Sequence, residues 1–281
     1  MHRYSNHLID SNNIRLHYIE YPKENVPTII CMHGITANCQ AFGGLVAKGL
    51  SEYYRLISVD LRGRGLSSQP AFHYSMEDHA ADIIGLLDHL RIEKAILMGH
   101  SFGGLLSFFL AANYPDRVEK LILLDAAAEM NPDVIEMLGA AFSRLDKKFP
   151  SWDAYISEIK AAPYLTFWSD AMESYYKADV MDTDEGGVTP RPNLANIIQC
   201  SLGVANEAWN VLIPKIEQPA ILVNGLDVYT LGQPLLPDYK AQETVAMMRD
   251  CKYIAVDGNH QTMLYEDGAE QIVKAIRNFI I

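Results

Sequence analysis

The sequence predicts an α/β fold with a mostly parallel sheet flanked by helices. Short and nearly continuous apolar runs recur along the 281 residues, and amphipathic helical patterns separate them. A long helical stretch interrupts this alternation near the middle of the chain. Apolar strands buried on both faces are typical of parallel sheets, and alternating strands and helices indicate the α/β class.

Seven segments have the composition of strands. Ile14–Ile19 alternates apolar and polar residues, Thr28–Met32 and Arg55–Val59 are short, β-branched and nearly continuous, and the others are short apolar runs. The predicted strands are Ile14–Ile19, Thr28–Met32, Arg55–Val59, Ala95–Met98, Leu121–Leu124, Ala220–Val223 and Lys252–Val256. The clearest helical patterns are Met76–Leu90, Phe102–Tyr114 and Gly268–Phe279.

Residues 126–213 carry helical patterns and no clear strand, which predicts a helical insertion between two halves of one sheet. Asp182–Pro192 is interpreted as an exposed loop within it. We expect about a third of the aromatic residues of the insertion to line a pocket and the others to form its core. These aromatic residues are Phe142, Phe149, Trp152, Tyr155, Tyr164, Phe167, Trp168, Tyr175, Tyr176 and Trp209.

Composition and charge exclude several classes of protein. With 49% apolar and 21% charged residues, the chain is neither disordered nor a disulfide scaffold. A net charge of −12 argues against nucleic acid or an anionic membrane as the main partner. Cys31, Cys39, Cys200 and Cys251 have no metal-ligand spacing, which favours reduced thiols and a cytoplasmic location. Neither a signal peptide at Met1–His7 nor a membrane span is expected.

Gly99-His100-Ser101-Phe102-Gly103 fits the pattern G-x-S-x-G and lies between a predicted strand and a predicted helix. In that context the serine occupies a sharp, strained turn, and the flanking glycines let the backbone turn without a clash. The turn projects the Ser101 hydroxyl above the end of the sheet. Ser101 is therefore the candidate nucleophile.

His260 is the candidate general base because it follows the last predicted strand and precedes the last helix. We expect His79 and His89 on or near a polar helix face. His100 occupies the variable position of the turn. The remaining histidines, His2, His7, His17 and His73, are expected to be solvated. No pair has convincing ligand spacing, so no metal is predicted.

His33-Gly34-Ile35 follows the Thr28–Met32 strand and is the candidate second half of an oxyanion hole. Acyl transfer requires two aligned backbone donors for the developing oxyanion. We expect these donors to be the N–H groups of Ile35 and Phe102, with Gly34 allowing a close approach of the chain and His33 bracing the loop.

Several motifs together resemble the α/β-hydrolase superfamily over nearly the whole chain. They are His33-Gly34, Asp60-Leu61-Arg62-Gly63-Arg64-Gly65-Leu66-Ser67, the Ser101 pentapeptide with Gly104, Tyr114-Pro115-Asp116-Arg117-Val118 and Gly258-Asn259-His260. Two shorter segments, His33–Asn38 and Gly186–Pro192, also resemble the acetamidomethylene-succinate hydrolases within that superfamily.

The resemblance implies an α/β-hydrolase fold with a helical cap inserted after the sixth strand. Residues 1–125 and 214–281 would then form the core domain, and residues 126–213 the cap. It also implies a Ser-His-Asp triad whose acid follows either the sixth or the seventh strand. Asp125, which is 24 residues after Ser101, is the first choice, and Asp227 is the alternative.

The residues and the resemblance together predict a serine hydrolase, first of all a carboxylesterase, acting on a small or medium ester or related acyl substrate without a cofactor. An amide, lactone or carbon–carbon bond hydrolase would use the same residues. The alternative hypothesis, from a different functional class, is that the protein is a small-molecule receptor with this fold. The Asp60–Gly65 loop is expected to be tightly packed beside the pocket, and Arg144 and Arg191 to be solvated rather than in contact with a substrate carboxylate.

Overall fold

The structure is a computed structural model and describes residues 4–280. Eight strands form one sheet in the order β1-β2-β4-β3-β5-β6-β9-β10, and the other two, β7 and β8, form a separate hairpin. The strands are β1 (Ser5–Ser11), β2 (Ile14–Tyr21), β3 (Thr28–Met32), β4 (Arg55–Val59), β5 (Ala95–His100), β6 (Val118–Leu124), β7 (Val180–Asp182), β8 (Val188–Pro190), β9 (Ala220–Gly225) and β10 (Cys251–Val256).

Helices cover both faces of the large sheet. The α-helices are α1 (Gly43–Ala47), α2 (Met76–His89), α3 (Phe102–Asn113), α4 (Val134–Met137), α5 (Gly139–Ser143), α6 (Trp152–Lys160), α7 (Asp170–Asp179), α8 (Leu194–Ala205), α9 (Trp209–Leu212), α10 (Asp238–Met247) and α11 (Glu266–Ile280). Short 3-10 turns occur at Cys39–Phe42, Leu50–Glu52, Pro115–Arg117, Ile213–Lys215 and Thr262–Leu264.

The sheet is antiparallel at its β1 edge and parallel from β4 to β10. Successive residues of a central strand enter opposite layers of the core: Ile30 of β3 packs in the layer of α2 and α3, whereas Ile29 packs in the layer of α1 and α11. This two-sided burial explains why the central strands are continuous apolar runs. The predicted α/β fold with its mostly parallel sheet is confirmed.

Two features differ from the expectations of the sequence. The first strand, Ser5–Ser11, was not predicted, because it is a largely polar edge strand that pairs with β2 alone. The Asp182–Pro192 segment was expected to be an exposed loop in a strandless region, and this was wrong. Val180–Asp182 and Val188–Pro190 pair with each other, and Val188 also bridges to Phe149. Strands of three residues are too short to produce a periodic signal.

Residues 126–213 connect two strands, β6 and β9, that are hydrogen-bonded neighbours in the sheet. The segment, called the insert below, therefore leaves the sheet and returns to it at adjacent positions. It contains α4 to α9 and the β7–β8 hairpin. The Asn38 amide donates a hydrogen bond to the Tyr175 carbonyl at 3.1 Å, which ties the insert to the loop after β3.

Two histidines predicted to be solvated or on a polar face are buried. His17 is 5% exposed, and its Nδ1 lies 2.7 Å from Asp60 Oδ2. His79 is fully buried beneath the loop that contains Arg64. The amphipathic pattern of the sequence did not reveal that Asp60 and Arg64 are the polar partners that make the burial of these histidines possible. His2 lies outside the described residues.

His17, Cys39 and Asp60 offer potential ligand atoms within 4.8 Å of one another. Both Asp60 oxygens already accept hydrogen bonds, Oδ1 from the Cys39 N–H and Oδ2 from His17 and the Leu66 N–H. The cluster is therefore a satisfied hydrogen-bonding unit that fixes the loop after β4. No helix between residues 4 and 280 is both long enough and apolar enough to cross a membrane.

At the junction between β5 and α3, backbone segments approach one another very closely at the carboxyl end of the sheet's strands. A Cβ atom at Gly99 would lie 2.1 Å from the Gly103 carbonyl oxygen, and one at Gly103 would lie 2.0 Å from that of Met32. The Gly103 N–H donates to the His33 carbonyl at 3.1 Å. Glycine is required at both positions because backbone meets backbone there.

We expect Gly103→Ala to lower the free energy of unfolding by about 3 kcal/mol or more, because its Cβ cannot be accommodated without moving β3. Urea unfolding followed by circular dichroism measures the change. Gly139→Ala is the matched control, since nothing lies within 4 Å of its Cβ position at the start of α5. A Gly103→Ala protein as stable as the control variant would contradict the expected clash.

Candidate active site

Ser101 occupies the turn between β5 and α3 with φ 54° and ψ −116°, a strained conformation for a residue with a side chain. Its N–H donates to the Leu124 carbonyl at 2.9 Å, which anchors the turn to the end of β6. The N–H groups of Gly104 and Leu105 donate back to the Ser101 carbonyl at 2.9 and 3.1 Å. The serine is therefore held at the first turn of α3 by strand and helix together.

His260 contacts Asp125 rather than Asp227. His260 Nδ1 lies 2.6 Å from Asp125 Oδ2, and the other carboxylate oxygen accepts the Gly225 N–H at 3.0 Å. Asp125 is completely buried. Among the described residues, Oδ2 of Asp125 accepts a hydrogen bond from the imidazole Nδ1–H of His260 and forms an ion pair with no other side chain. The bond fixes the tautomer with the proton on Nδ1 and leaves Nε2 as the basic nitrogen.

Asp227 is exposed and lies on the neighbouring loop after β9. Its Oδ2 accepts the Gly258 N–H at 3.1 Å, and its own N–H donates to the Gly258 carbonyl at 3.1 Å. Asn259 further joins this loop to the insert, since its amide donates to the carbonyls of Val228 and Tyr164. Asp227 and Asn259 therefore hold the loop that presents His260.

The N–H groups of Ile35 and Phe102 have no hydrogen-bond partner in the part of the chain that the structure describes. The loop of Ile35 is set by His33, which donates from Nδ1 to the Gly34 carbonyl and accepts the Leu61 N–H on Nε2. Burial and the nearby Arg64 cation lower the pKa of His33 to about 4. His33 is therefore neutral, and this hydrogen-bond pattern is maintained at neutral pH.

One cavity of about 50 Å³ collects these groups. It is lined by residues at the ends of β3, β5, β9 and β10 or in the loops that follow them, and by residues of the insert. They are Gly34, Ile35, Thr36, Ala37, Ala41, His100, Ser101, Leu138, Ala141, Arg144, Tyr164, Tyr175, Tyr176, Tyr229, His260, Gln261 and Leu264.

Ser101 and His260 face this common cavity, but the described contacts include no hydrogen bond between their side chains. Of the ten aromatic residues singled out in the insert, Tyr164, Tyr175 and Tyr176 line the cavity. This matches the expected third, and the rings of these buried tyrosines supply an apolar wall.

Arg144 was expected to be solvated, and this was wrong. It is 4% exposed and lines the cavity, with Nη1 2.8 Å from Asp179 Oδ2. The Tyr155 hydroxyl donates to the same carboxylate oxygen at 2.5 Å. Burial raises the pKa of Asp179, and the Arg144 cation opposes that shift. Arg191 is half-buried and faces a separate cavity beside His17.

The hydrogen-bonding capacity of Arg144 is only partly used. Nη1 lies close to Asp179 without the alignment of a hydrogen bond, and Nη2 reaches Thr36 at only 3.4 Å. A buried guanidinium with weakly satisfied donors at a cavity wall can accept a carboxylate ligand.

His100 packs its ring against the ring of His260, with centroids 4.6 Å apart. Its Nε2–H donates to the His260 carbonyl at 2.8 Å. Burial and the adjacent His260 hold the pKa of His100 well below its ordinary value. His100 is therefore a neutral support for the backbone of the histidine loop, a role that the motif alone did not reveal.

The sequence reasoning missed the burial of Arg144 and the contacts of His100. One signal for Arg144 was available, since it is the single charged residue in the stretch from Met137 to Leu145. A charge in an otherwise apolar stretch indicates a buried, paired group or a functional one. No sequence signal distinguished His100 from an ordinary residue at the variable position of the turn.

A sequence model of the alpha/beta hydrolase fold matches residues 27–227. The 2-(acetamidomethylene)succinate hydrolase of Mesorhizobium japonicum is 30% identical over 278 residues, which cover 97% of this chain and 94% of that protein. The crystal structure of an E-2-(acetamidomethylene)succinate hydrolase superposes with a TM-score of 0.86 at 28% identity over 99% of both chains. An enol-lactonase from Burkholderia xenovorans LB400 shares the fold, with a TM-score of 0.72 at 22% identity over 97% of this chain and 98% of that one. The chain belongs to the α/β-hydrolase fold family.

Proposed function

We propose that the protein is a serine hydrolase that cleaves a carboxylic ester, or a related acyl compound, of a small or medium acid. The observation that carries this proposal is the pairing of a strained, cavity-facing Ser101 with a histidine whose Nδ1 is hydrogen-bonded to a buried carboxylate, Asp125. Nucleophile, base and orienting acid are the three parts that acyl transfer by a serine requires.

In the first step, His260 Nε2 accepts the proton of Ser101 as the hydroxyl oxygen attacks the substrate carbonyl. Asp125 keeps the imidazole in the required tautomer and stabilises the imidazolium that forms. The unpaired N–H groups of Ile35 and Phe102 donate to the oxyanion of the tetrahedral intermediate. The intermediate then collapses, His260 returns the proton to the leaving alcohol, and an acyl-serine remains.

In the second step, His260 removes a proton from water as the water attacks the acyl-serine. The same two backbone donors stabilise the second oxyanion, and the proton passes to Ser101 when the acid is released. These steps need no group other than water and the residues named. We propose that the insert, residues 126–213, acts as a cap that shapes the substrate side of the cavity.

The cavity wall supports a narrower substrate class, acyl compounds that carry a carboxylate. Arg144 is the cationic side chain that lines this cavity in the described chain, and its donors are incompletely used. A relative that matches 97% of this chain is named for a substrate that combines an acetamido group with succinate. An amide hydrolase for an anionic substrate is therefore the second candidate function, and it uses the same Ser101 mechanism.

We expect Ser101→Ala to lower the kcat for p-nitrophenyl acetate by at least about 10³-fold, because no other group can form the acyl-enzyme. Release of p-nitrophenol measures the rate, and amide and lactone substrates extend the test to the alternatives. Ser174→Ala, which removes an exposed hydroxyl from α7, is the matched control. If the alanine variant equals the wild type on every substrate class, the proposed function is wrong.

Replacing the two candidate acids separates their roles. We expect Asp125→Asn to lower kcat by about 10³–10⁴-fold, because an amide there favours the wrong imidazole tautomer. Asp227→Asn should lower kcat less than about tenfold, since that carboxylate contacts backbone and not the imidazole. Steady-state kinetics with one ester substrate measures both, and the reverse order of effects would identify Asp227 as the acid.

The proposed carboxylate site can be tested with two esters of matched length, mono-p-nitrophenyl succinate and p-nitrophenyl butyrate. We expect Arg144→Gln to reduce the charged-to-neutral ratio of kcat/KM by about 10- to 100-fold, because a charge-assisted, partly buried contact is lost. The ratio within one variant is unaffected by the amount of folded protein. Arg191→Gln is the control, and an equal ratio in both variants would contradict the assignment of Arg144.

A further inference from the structure

We propose that Arg64 is a positioning residue for the oxyanion hole. Its buried guanidinium holds the two residues that provide the backbone donors, and its positive charge stabilises the oxyanion from behind them. The inference rests on the proposed function, and it concerns a loop that the sequence analysis interpreted as only structural.

Arg64 contacts both residues of the candidate oxyanion hole. Its Nε donates to the Ile35 carbonyl at 2.8 Å, which restrains the loop after β3. Its guanidinium carbon lies 5.1 Å from the centre of the Phe102 ring, within the range of a cation–π interaction. One buried side chain therefore connects the loop after β3 with the start of α3, and the N–H groups of these two segments must point at the same oxygen.

The charge of Arg64 has no carboxylate partner within 4.0 Å among residues 4–280. Its other polar partners are neutral groups: Nη1 donates to the Arg62 carbonyl at 2.6 Å and meets His79 Nε2 at 2.9 Å, and the Cys200 thiol also contacts the guanidinium. Nη2 is buried without a hydrogen-bond partner. A fully buried cation without a counterion is costly to maintain, so its retention points to a use for the charge.

His79 completes the neutral environment of Arg64. Its Nδ1 donates to the Ser75 carbonyl at 2.8 Å, which leaves Nε2 as an acceptor for the guanidinium. Burial and the charge of Arg64 hold the pKa of His79 well below its ordinary value. The ring of His79 also meets the edge of Phe102, with centroids 5.0 Å apart, so it supports the same residue that Arg64 covers.

Arg62, two residues earlier in the same loop, shows the alternative arrangement. It is equally buried, but its Nε and Nη2 donate to the two oxygens of Asp82 at 2.7 and 2.6 Å. That ion pair neutralises its charge and holds the loop against α2. Arg62 therefore has a counterion and a structural role. Arg64 has no counterion, so its positive charge remains available.

A fixed positive charge near the oxyanion acts mainly on the transition state. The substrate carbonyl is neutral, whereas the tetrahedral intermediate carries a negative charge on its oxygen, and the interaction is strong in a buried environment. The charge of Arg64 should therefore raise kcat with little effect on KM, since it stabilises the transition state more than the bound substrate.

The test compares Arg64→Met and Arg64→Gln with the matched control Arg62→Met. Steady-state kinetics with p-nitrophenyl acetate gives kcat and KM per active site, with active sites counted by the p-nitrophenol burst. Inhibition by an alkyl boronic acid gives a second measurement, because its boron accepts the Ser101 oxygen and becomes a tetrahedral anion. Urea unfolding measures the stability of each variant.

We expect both Arg64 variants to lose about 10- to 100-fold in kcat, with KM changed less than about threefold. Affinity for the boronic acid should fall in proportion. Arg64→Gln keeps donors for Ile35 without the charge and so tests the charge if Arg64→Met does not fold. Arg62→Met should lose more stability, because Asp82 is left buried and unpaired, while its kcat per active site stays within about threefold of the wild type.

The inference is wrong if the Arg64 variants keep kcat and boronic acid affinity, or if they lose no more of either than Arg62→Met does. These outcomes presuppose a wild-type protein that hydrolyses the ester. A wild-type protein that neither hydrolyses the ester nor binds the boronic acid would instead overturn the proposed function, and this inference with it.

Discussion

Three backbone segments, the end of β5, the start of α3 and the end of β3, approach one another closely. This approach determines the geometry at the carboxyl end of the sheet's strands. The start of α3 lies so near to β3 that no Cβ fits at Gly103, and so near to the end of β5 that none fits at Gly99. The residue between them, Ser101, therefore has to adopt a strained backbone conformation at φ 54°. This strain is stored in the turn and balanced by the packing of the surrounding core.

The parallel sheet brings the other candidate catalytic residues to the same end of the sheet. Ile35, Asp125 and His260 each follow the carboxyl end of a strand, where loops of an open α/β sheet converge on a ligand site. Asp125 is the most constrained of them, since its N–H binds the carbonyl of Val223 and its carboxylate binds a backbone N–H of β9 as well as the imidazole. Loops that are distant in sequence thus form one hydrogen-bonded group.

The three buried arginines of this region differ in whether a carboxylate neutralises their charge. Arg62 forms a bidentate pair with Asp82 of α2, and Arg144 pairs with Asp179 within the insert, in the wall of the candidate cavity. Arg64, which touches both candidate oxyanion residues, has only neutral partners in the described chain. Arg64 therefore differs from Arg62 and Arg144, because no carboxylate within 4.0 Å among residues 4–280 neutralises its charge.

The sequence by itself determined the fold class, the strand-to-helix turn at Ser101 and the loop position of His260, because strand periodicity and glycine spacing are local properties. It also left two acids open, since both follow strand ends and spacing along the chain does not show which carboxylate meets the imidazole. Only the tertiary structure placed Asp125 against His260, buried Arg144 in the cavity wall and left Arg64 without a counterion. Those features depend on which side chains meet across separate loops, and no local pattern carries that information.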